Sequence, residues 1–418
     1  MAHLLKVNID ALKLGMYVAQ LDRPWLETTF LFEGFRVDKI EDIDMLRDKC
    51  HYVYVDVEKG EWPDEHEFAM PVRIPDKDAL PNRVITYEDE TDVRTEMAAA
   101  EACYGALTNG VNTIMDDVKS GKTPNLKTVK GTVEGMIASL KRNPDAMIWL
   151  SKLKQADNYT YSHAINCSIL AVAFARHLGM GASELRDIAF GTLLFDIGKM
   201  KLPQELLVKP GRLTGEEFTL LKKHVTYSVE LLHESKGISP RALELVANHH
   251  ERFDGSGYPG RLVGQNIPVM GRMAAIVDCY EAVTSDRPYA KGISSHEAIR
   301  KLYEWRDVDF QEQLVEQFIQ CLGVYPTGSL VELNSGEVGV VYGQNRIRRL
   351  RPKVMMILNA EKVAYGIFPI VDLMDQTQTK EGKPLEIVRG LDPGSYGIDM
   401  GGLFLSNEPW SPDAAKQA

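Results

Sequence analysis

The chain has 418 residues, of which 44% are hydrophobic and 26% are charged. These values are typical of a globular protein with two or three domains of roughly 100–200 residues each, and they exclude wholesale disorder. The formal net charge of −11 argues against general binding to nucleic acid or to an anionic membrane, since both are polyanions.

Cysteine usage and hydropathy predict a cytoplasmic protein. The five cysteines are widely spaced and include no Cys-x-x-Cys pair, which indicates a reducing compartment and argues against a thiolate zinc site. Asp10 and Lys13 interrupt the apolar N-terminus, so we expect no signal peptide. Nowhere do about 18 apolar residues run together, so we expect no transmembrane helix.

Residues 1–92 are predicted to form a mixed α/β region followed by a linker. The β-forming segments YVAQLDRPW and HYVYVDV flank a short helical segment, IEDIDMLRDKC. Residues 59–92 are rich in proline and acidic residues, which is typical of a solvated linker. Four aromatic residues could form a ligand or partner surface, although such clusters are more often core: Trp25, Phe30, Phe32 and Phe35.

Residues 93–325 are predicted to be almost wholly helical, because apolar residues recur there at three- and four-residue spacing. The pattern is that of helices packed around a common core, each with one apolar face. Three helix starts are marked by capping residues, at Thr214 with Glu217, at Ser239 with Pro240, and at Asp309 with Glu312.

Residues 326–418 are predicted to be β-rich, with a frayed tail. The segment SLVELNSGEVGVVYG alternates around Asn334-Ser335-Gly336, which predicts a hairpin, and KVMMIL predicts a buried strand. The basic run 346–353, RIRRLRPK, could bind an anion or a partner, although a solvated edge strand is the commoner interpretation. The expected fold is therefore a mainly α central domain with smaller α+β and β-rich regions at its ends.

Histidines and acidic residues gather in the helical region. Six of the ten histidines fall between positions 163 and 250, and Asp196 and Asp278 interrupt apolar segments. A carboxylate buried in such a segment is costly unless it is paired or metal-bound. Imidazole and carboxylate ligands together suit iron, manganese, nickel or catalytic zinc. Three other histidines are interpreted as core or surface residues: His177, His233 and His296.

Five segments between about Asp157 and Ala290 resemble the HD-GYP domain, a branch of the HD phosphohydrolase superfamily. They are DNYTYSH, LLFDIGKMKLPQELLVKPGRLTGEEF, HVTYSVELL, ANHHERFDGSGYP and RMAAIVDCYEAVTSDRPYA. The resemblance implies an HD-type helical fold that uses metals to hydrolyse cyclic di-GMP to the linear dinucleotide pGpG, to GMP, or to both. It further implies metal ligands at His163, Asp196, His224, His249, His250 and Asp278.

The resemblance also assigns roles around the metals, which are expected to be divalent, of iron or manganese type, and at most two. Asp196 would bridge both, and such a pair can clamp phosphoryl oxygens. Lys199, one turn beyond Asp196, would hold the scissile phosphate, and Glu281 would orient that lysine. A surface ion pair is the alternative for Lys199 and Glu281.

Further residues are expected to contact the substrate. Arg287 would bind one of its phosphates, because a guanidinium matches phosphate geometry, and Lys291 would offer a second contact. Tyr258 lies in the Gly255–Gly260 turn, which we expect at the mouth of the pocket and which could also contact GGDEF-domain diguanylate cyclases. Simple turn geometry would equally explain those glycines.

Three departures from the family pattern bear on activity. Phe195 replaces the motif histidine immediately before Asp196. Tyr159 stands where members with a third metal tend to have glutamate, and Ala290 stands where a basic residue is frequent. The first departure leaves one metal with three of its four family ligands. We therefore expect a slow phosphodiesterase.

Residues from about 4 to 57 resemble a domain of unknown function that precedes HD-GYP domains in many bacterial proteins. That similarity indicates a domain arrangement but does not indicate an activity. Two alternatives to the enzyme stay open: a cyclic di-GMP receptor with an impaired site, and a scaffold that binds diguanylate cyclases without a ligand.

Overall fold

The computed structural model describes residues 4–9, 12–21, 34–47, 50, 52–56, 59, 85–153, 159–209, 211–235, 237–286, 291–346, 348–375, 378–379 and 382–401. The chain divides into two compact units. One comprises Met1–Ala79 with Asn345–Arg351, and the other comprises Leu80–Gln344 with Pro352–Ala418. The second unit thus holds the helical region and most of the β-rich region. The three-domain division at residues 92 and 325 stays a prediction.

The first unit contains an antiparallel sheet with one helix. Its elements are β1 (Leu4–Asn8), β2 (Tyr17–Leu21), β3 (Phe35–Arg36), α1 (Ile40–Arg47) and β4 (Tyr52–Asp56). The strand order is β1-β4-β2-β3. Val18, Leu46, Val53 and Val55 are fully buried in its core, and Phe35 packs against that core. The predicted helix between two β-forming segments is confirmed. Trp25, Phe30 and Phe32 lie outside the described residues.

The second unit is built on helices. They are α2 (Val93–Lys119), α3 (Lys127–Arg142), α4 (Pro144–Leu153), α5 (Tyr159–His177), α6 (Ala182–Leu194), α7 (Gln204–Leu207), α8 (Gly215–Glu234), α9 (Pro240–Asn248), α10 (Val269–Thr284), α11 (Ser295–Glu304) and α12 (Glu312–Leu322). Helix α5 is buried all round from residue 161 to residue 176, since other helices pack on every side of it. No helix among the described residues is long and apolar enough to cross a membrane.

Two of the three predicted helix starts are confirmed. The Glu217 amide donates to Thr214 Oγ1 at 3.2 Å, and the Ala242 amide donates to Ser239 Oγ at 3.0 Å. The third prediction is wrong by two residues, because Gln311 precedes the first residue of α12. Asp309 is engaged elsewhere, since its carbonyl accepts a hydrogen bond from the Phe253 amide at 2.9 Å.

The β-rich region forms a five-stranded antiparallel sheet. Its strands are β5 (Leu330–Leu333), β6 (Val338–Gly343), β7 (Lys353–Leu358), β8 (Ile370–Asp372) and β9 (Ile387–Gly390), in the order β8-β7-β6-β5-β9. The predicted hairpin joins β5 to β6, and Gly336 has a positive φ of 83° there. The sheet is attached to the helices by a buried carboxylate, since Asp145 accepts from Thr327 Oγ1 at 3.0 Å and from the Gln344 amide at 2.9 Å.

Candidate metal centre

Five helical segments bring the six predicted ligand residues together. His163 lies on α5, His224 on α8, and Asp278 on α10. Asp196 lies in the turn between α6 and a 3₁₀ helix (Ile197–Lys201), whereas His249 and His250 directly follow α9. The turn after Asp196 approaches α8 so closely that a Cβ atom on Gly198 would lie 2.1 Å from the His224 carbonyl oxygen. Because glycine has no side chain, position 198 allows the turn that carries Asp196 to pack close to His224.

Four of these residues form the tighter cluster. One ligand atom each from Asp196, His224, His249 and His250 lie within 4.8 Å of one another. Asp196 Oδ1 is 3.3 Å from His224 Nε2 and 3.9 Å from His249 Nε2. Because carbonyl oxygens only accept, His224 Nδ1 donates to Leu221 O at 2.6 Å and His249 Nδ1 donates to Val246 O at 2.8 Å. Both Nε2 lone pairs are thereby directed toward Asp196 Oδ1.

Three buried atoms in this cluster lack a hydrogen-bond partner among the described residues. They are Asp196 Oδ1, His224 Nε2 and His249 Nε2, and none of the three side chains is more than 2% exposed. Buried polar atoms are almost always hydrogen-bonded, and an unpartnered one costs free energy. All three are electron-pair donors facing one another, so a divalent cation fits among them, whereas a further hydrogen-bond acceptor would not.

The second oxygen of Asp196 faces a different set of groups. Asp196 Oδ2 accepts from Lys199 Nζ at 2.5 Å and lies 3.6 Å from His163 Nε2. His163 Nε2 lies 3.1 Å from Asp278 Oδ1, and Asp278 Oδ2 lies 3.6 Å from His250 Nδ1. Asp196 therefore lies between the tighter cluster and the His163–Asp278 pair.

The electrostatics keep these groups in the protonation states that bind metal. Burial alone would raise the pKa of Asp196, but Lys199 and His224 hold that pKa well below its usual value. Burial likewise opposes ionisation of Asp278, yet His163 and His250 lower its pKa. Burial lowers the pKa of His249 to about 4. At neutral pH the carboxylates are charged and the imidazole of His249 is neutral, which is the ligating form of each.

Glu281 does not occupy the position predicted for it. Among the described residues its contacts are to His163 Nδ1, to Asn166 Nδ2 at 3.1 Å and to Ser285 Oγ at 2.7 Å, and not to Lys199. The expected orientation of Lys199 by Glu281 is therefore corrected, because Lys199 instead pairs with Asp196. A carboxylate behind a metal-binding imidazole fixes its tautomer and raises its basicity, so Glu281 acts on His163.

Sequence reasoning missed Asn166 and Ser285, which complete the Glu281 contacts. Asn166 lies three residues after His163 on α5, and Ser285 lies four residues after Glu281 at the end of α10. That spacing places each on the same helix face as its neighbour. The helical spacing of these residues is visible in the sequence, but it predicts the contacts only once α5 and α10 are known to pack face to face.

Comparison with known proteins identifies the two parts of the chain. The model of the HD domain matches residues 145–313, and that of a domain of unknown function, DUF3391, matches residues 4–129. A cyclic di-GMP phosphodiesterase of Pseudomonas aeruginosa is 34% identical over 381 residues, which cover 90% of both sequences. The chain belongs to the HD-GYP family.

Other HD-GYP relatives match less than half of the chain. The cyclic di-GMP phosphodiesterase response regulator RpfG of Xanthomonas campestris is 36% identical and is matched over 43% of this chain and 51% of its own length. A 3'3'-cGAMP-specific phosphodiesterase of Vibrio cholerae is 35% identical, over 38% of this chain and 31% of its own length. These relatives thus include enzymes named for different cyclic dinucleotides.

Phe195, the residue immediately before Asp196, forms an apolar wall of the site. Its side chain is fully buried, and its ring centroid lies 4.6 Å from that of His249 and 5.9 Å from that of His163. The ring is nearly parallel to the His163 ring, at an interplanar angle of 16°. Phenylalanine therefore fills this space with carbon and contributes no ligand atom.

The expected substrate contacts of the HD-GYP motif are only partly described. Tyr258 stacks on His250 with 4.7 Å between ring centroids, so it lies directly beside the metal cluster. Lys291 is exposed after α10. Arg287, Ala290 and the side chain of Tyr159 lie outside the described residues. Three histidines that were interpreted as non-ligands are absent from the described metal clusters: His177, His233 and His296.

Proposed function

We propose that this chain is a metal-dependent phosphodiesterase that hydrolyses cyclic di-GMP to pGpG, to GMP, or to both. The observation that supports it best is the buried donor set of Asp196, His224 and His249, whose facing atoms have no hydrogen-bond partner among the described residues. The P. aeruginosa relative, which matches nearly the whole chain, is a cyclic di-GMP phosphodiesterase. The wide spacing of the cysteines favours a cytoplasmic setting.

Asp196, His224, His249 and His250 would hold one cation, and His163, Asp196 and Asp278 would hold a second at the Phe195 wall. We propose iron or manganese, at two ions or fewer per chain, because the ligands are imidazole and carboxylate. When bound, such ions supply Lewis-acid stabilisation of phosphoryl oxygens.

The protein's own groups supply binding and charge. Lys199 is 21% exposed on its side chain, so its ammonium can both contact Asp196 and reach a ligand. It donates hydrogen bonds to a non-bridging phosphate oxygen and stabilises the negative charge that develops there. Glu281 holds the orientation of His163, and Phe195 keeps water away from two imidazole rings. Arg287 holds the other phosphate of the cyclic dinucleotide.

A receptor that binds cyclic di-GMP without turnover is the second candidate, and Phe195 favours it. Loss of a group that only supports a ligand typically costs about 10–100-fold in affinity or activity, and loss of a ligand should cost at least as much.

We propose in addition that the turn Gly255–Gly260 contacts diguanylate cyclases, since Asp254, Ser256 and Pro259 are exposed there. Co-purification with such a cyclase, and its loss in Ser256→Trp, would test that contact.

Turnover separates the enzyme from the receptor. The full chain is loaded anaerobically with Fe(II) or Mn(II) and incubated with cyclic di-GMP, and products are identified by mass spectrometry. We expect slow formation of pGpG or GMP. Tight binding without product after loading with either metal would establish the receptor instead.

Asp196→Ala is the matched inactive variant. It removes the carboxylate that lies between both ligand sets, so metal content and turnover should fall together. Elemental analysis of the purified variant measures its metal content, and product formation measures its turnover. Retention of two metals by this variant would contradict the assigned role of Asp196.

A further inference from the structure

An aromatic shelf extends outward from the metal cluster to the surface. It consists of Tyr258, Phe218 and Lys222. Tyr258 stacks on His250, and the Phe218 ring meets the Tyr258 ring edge-on at 6.3 Å between centroids and 83° between planes. Phe218 is 44% exposed, which is unusual for so large an apolar ring on a helix that otherwise turns polar residues outward.

Lys222 lies over both rings of the shelf. Its Nζ atom is 4.6 Å from the Phe218 centroid and 5.1 Å from the Tyr258 centroid, which are cation–π distances. Among the described residues Lys222 forms no ion pair, although acidic residues outnumber basic ones in the chain by 59 to 48. Lys209, by contrast, pairs with Glu217 at 2.6 Å. The ammonium of Lys222 thus retains donors for a ligand.

We infer that the shelf binds one guanine base of the cyclic dinucleotide, and that Lys222 selects guanine over adenine. This inference rests on the proposed function. A purine stacks on Phe218, which is 44% exposed, because every base has a π-face that an aromatic side chain can cover. Guanine presents the acceptors O6 and N7 at its edge, to which a lysine donates, whereas adenine presents an amino donor in place of O6.

The position of the shelf explains why a base and a phosphate would be held together. His250 is both a member of the metal cluster and the stacking partner of Tyr258. A nucleotide whose phosphate lies at the cluster therefore has its base at the shelf. This makes the shelf a specificity subsite, which matters in a family whose members include a cGAMP-specific enzyme.

Steady-state kinetics with the metal-loaded full chain test the stacking contact. Phe218→Ala should raise the KM for cyclic di-GMP by about 5- to 150-fold. Inorganic phosphate, which has no aromatic ring, is the control, and its inhibition constant should change at least about 10-fold less. Phe218→Trp should restore the wild-type KM. Equal losses for cyclic di-GMP and inorganic phosphate, or an unchanged KM in Phe218→Ala, would overturn the stacking role.

Calorimetric binding of cyclic di-GMP and cyclic di-AMP tests the role of Lys222. Lys222→Met keeps a chain of similar length, so it should reduce the preference for cyclic di-GMP about 5-fold or more, while Lys222→Arg retains that preference. Lys223→Met, exposed on the same helix, is the control and should bind as the wild type does. Equal weakening of both ligands by Lys222→Met would show a phosphate contact and overturn base selection.

The same experiments distinguish failure of the shelf from failure of the proposed function. If the wild type hydrolyses cyclic di-GMP and the shelf variants match it, only the shelf inference is wrong. If the wild type neither binds nor hydrolyses cyclic di-GMP yet cleaves bis(p-nitrophenyl) phosphate, the proposed substrate is wrong, and the shelf inference is refuted with it.

Discussion

Phe195→His introduces the residue that the resemblance to the HD-GYP motif predicts at this position. The ring it replaces is fully buried against His163 and His249. Full burial of a phenylalanine side chain contributes about 1.5–3 kcal/mol, and an imidazole recovers only part of that. Without metal we therefore expect the variant to be less stable than the wild type by about 2 kcal/mol.

Metal binding should restore the stability that the Phe195→His variant loses. A fourth protein ligand in the His163–Asp196–Asp278 set should tighten binding there by about 10–100-fold or more, by analogy with the loss of supporting groups. That change corresponds to about 1.4–2.7 kcal/mol, which offsets the lost apolar contact. The rate of cyclic di-GMP hydrolysis should rise in the same variant.

Phe195→Leu is the control, since leucine is apolar and offers no ligand atom. Anaerobic titration against a competing chelator measures metal affinity, and thermal unfolding with and without chelator measures stability. We expect tighter binding in Phe195→His and none of that gain in Phe195→Leu. If Phe195→His and Phe195→Leu bind metal equally, position 195 lies outside ligand reach and the reasoning fails.

Three further outcomes are expected. Glu281→Gln removes the charge behind His163 and should weaken metal binding about 10–100-fold in a chelator competition; unchanged affinity would show that the contact is only structural. Arg287→Ala should weaken cyclic di-GMP binding by calorimetry and leave metal content intact; equal affinity would exclude a phosphate contact. Burial raises the pKa of Glu316 on α12 to about 7, so its ionisation opposes folding and stability is lost as the pH rises from about 4.5 through 7. Glu316→Gln should therefore raise the free energy of unfolding by about 3 kcal/mol at pH 8 and little at pH 4. Urea denaturation showing the same change at both pH values would refute this.

Local signals in the sequence predicted much of the fold. The capping residues Thr214 and Ser239 were correct because an N-cap depends on neighbours three residues away. Asp309 was misplaced because a residue 56 positions earlier, Phe253, binds its carbonyl group. Helix propensity and capping patterns depend on neighbouring residues, so they cannot predict a hydrogen bond between residues this far apart in the sequence.

The candidate site was predictable to a similar degree. Motif spacing placed His224 and His249 near Asp196, and the structure brings these side chains together. The partner of Glu281 was missed because it lies 118 positions earlier, on another helix. The family resemblance implied that Glu281 orients Lys199, but Lys199 instead contacts Asp196, three residues before it.

The carboxylate of Asp145 limits how this protein can be divided. It is 2% exposed and binds Thr327 and the Gln344 backbone, and Trp149 one turn later packs edge-on against Tyr342. A fragment ending at residue 325 would remove Thr327 and Gln344, two hydrogen-bond donors, from this buried charge. It would also expose the apolar surface that β6 covers. The C-terminal sheet and the helices are therefore expected to be gained or lost together, as one folding unit.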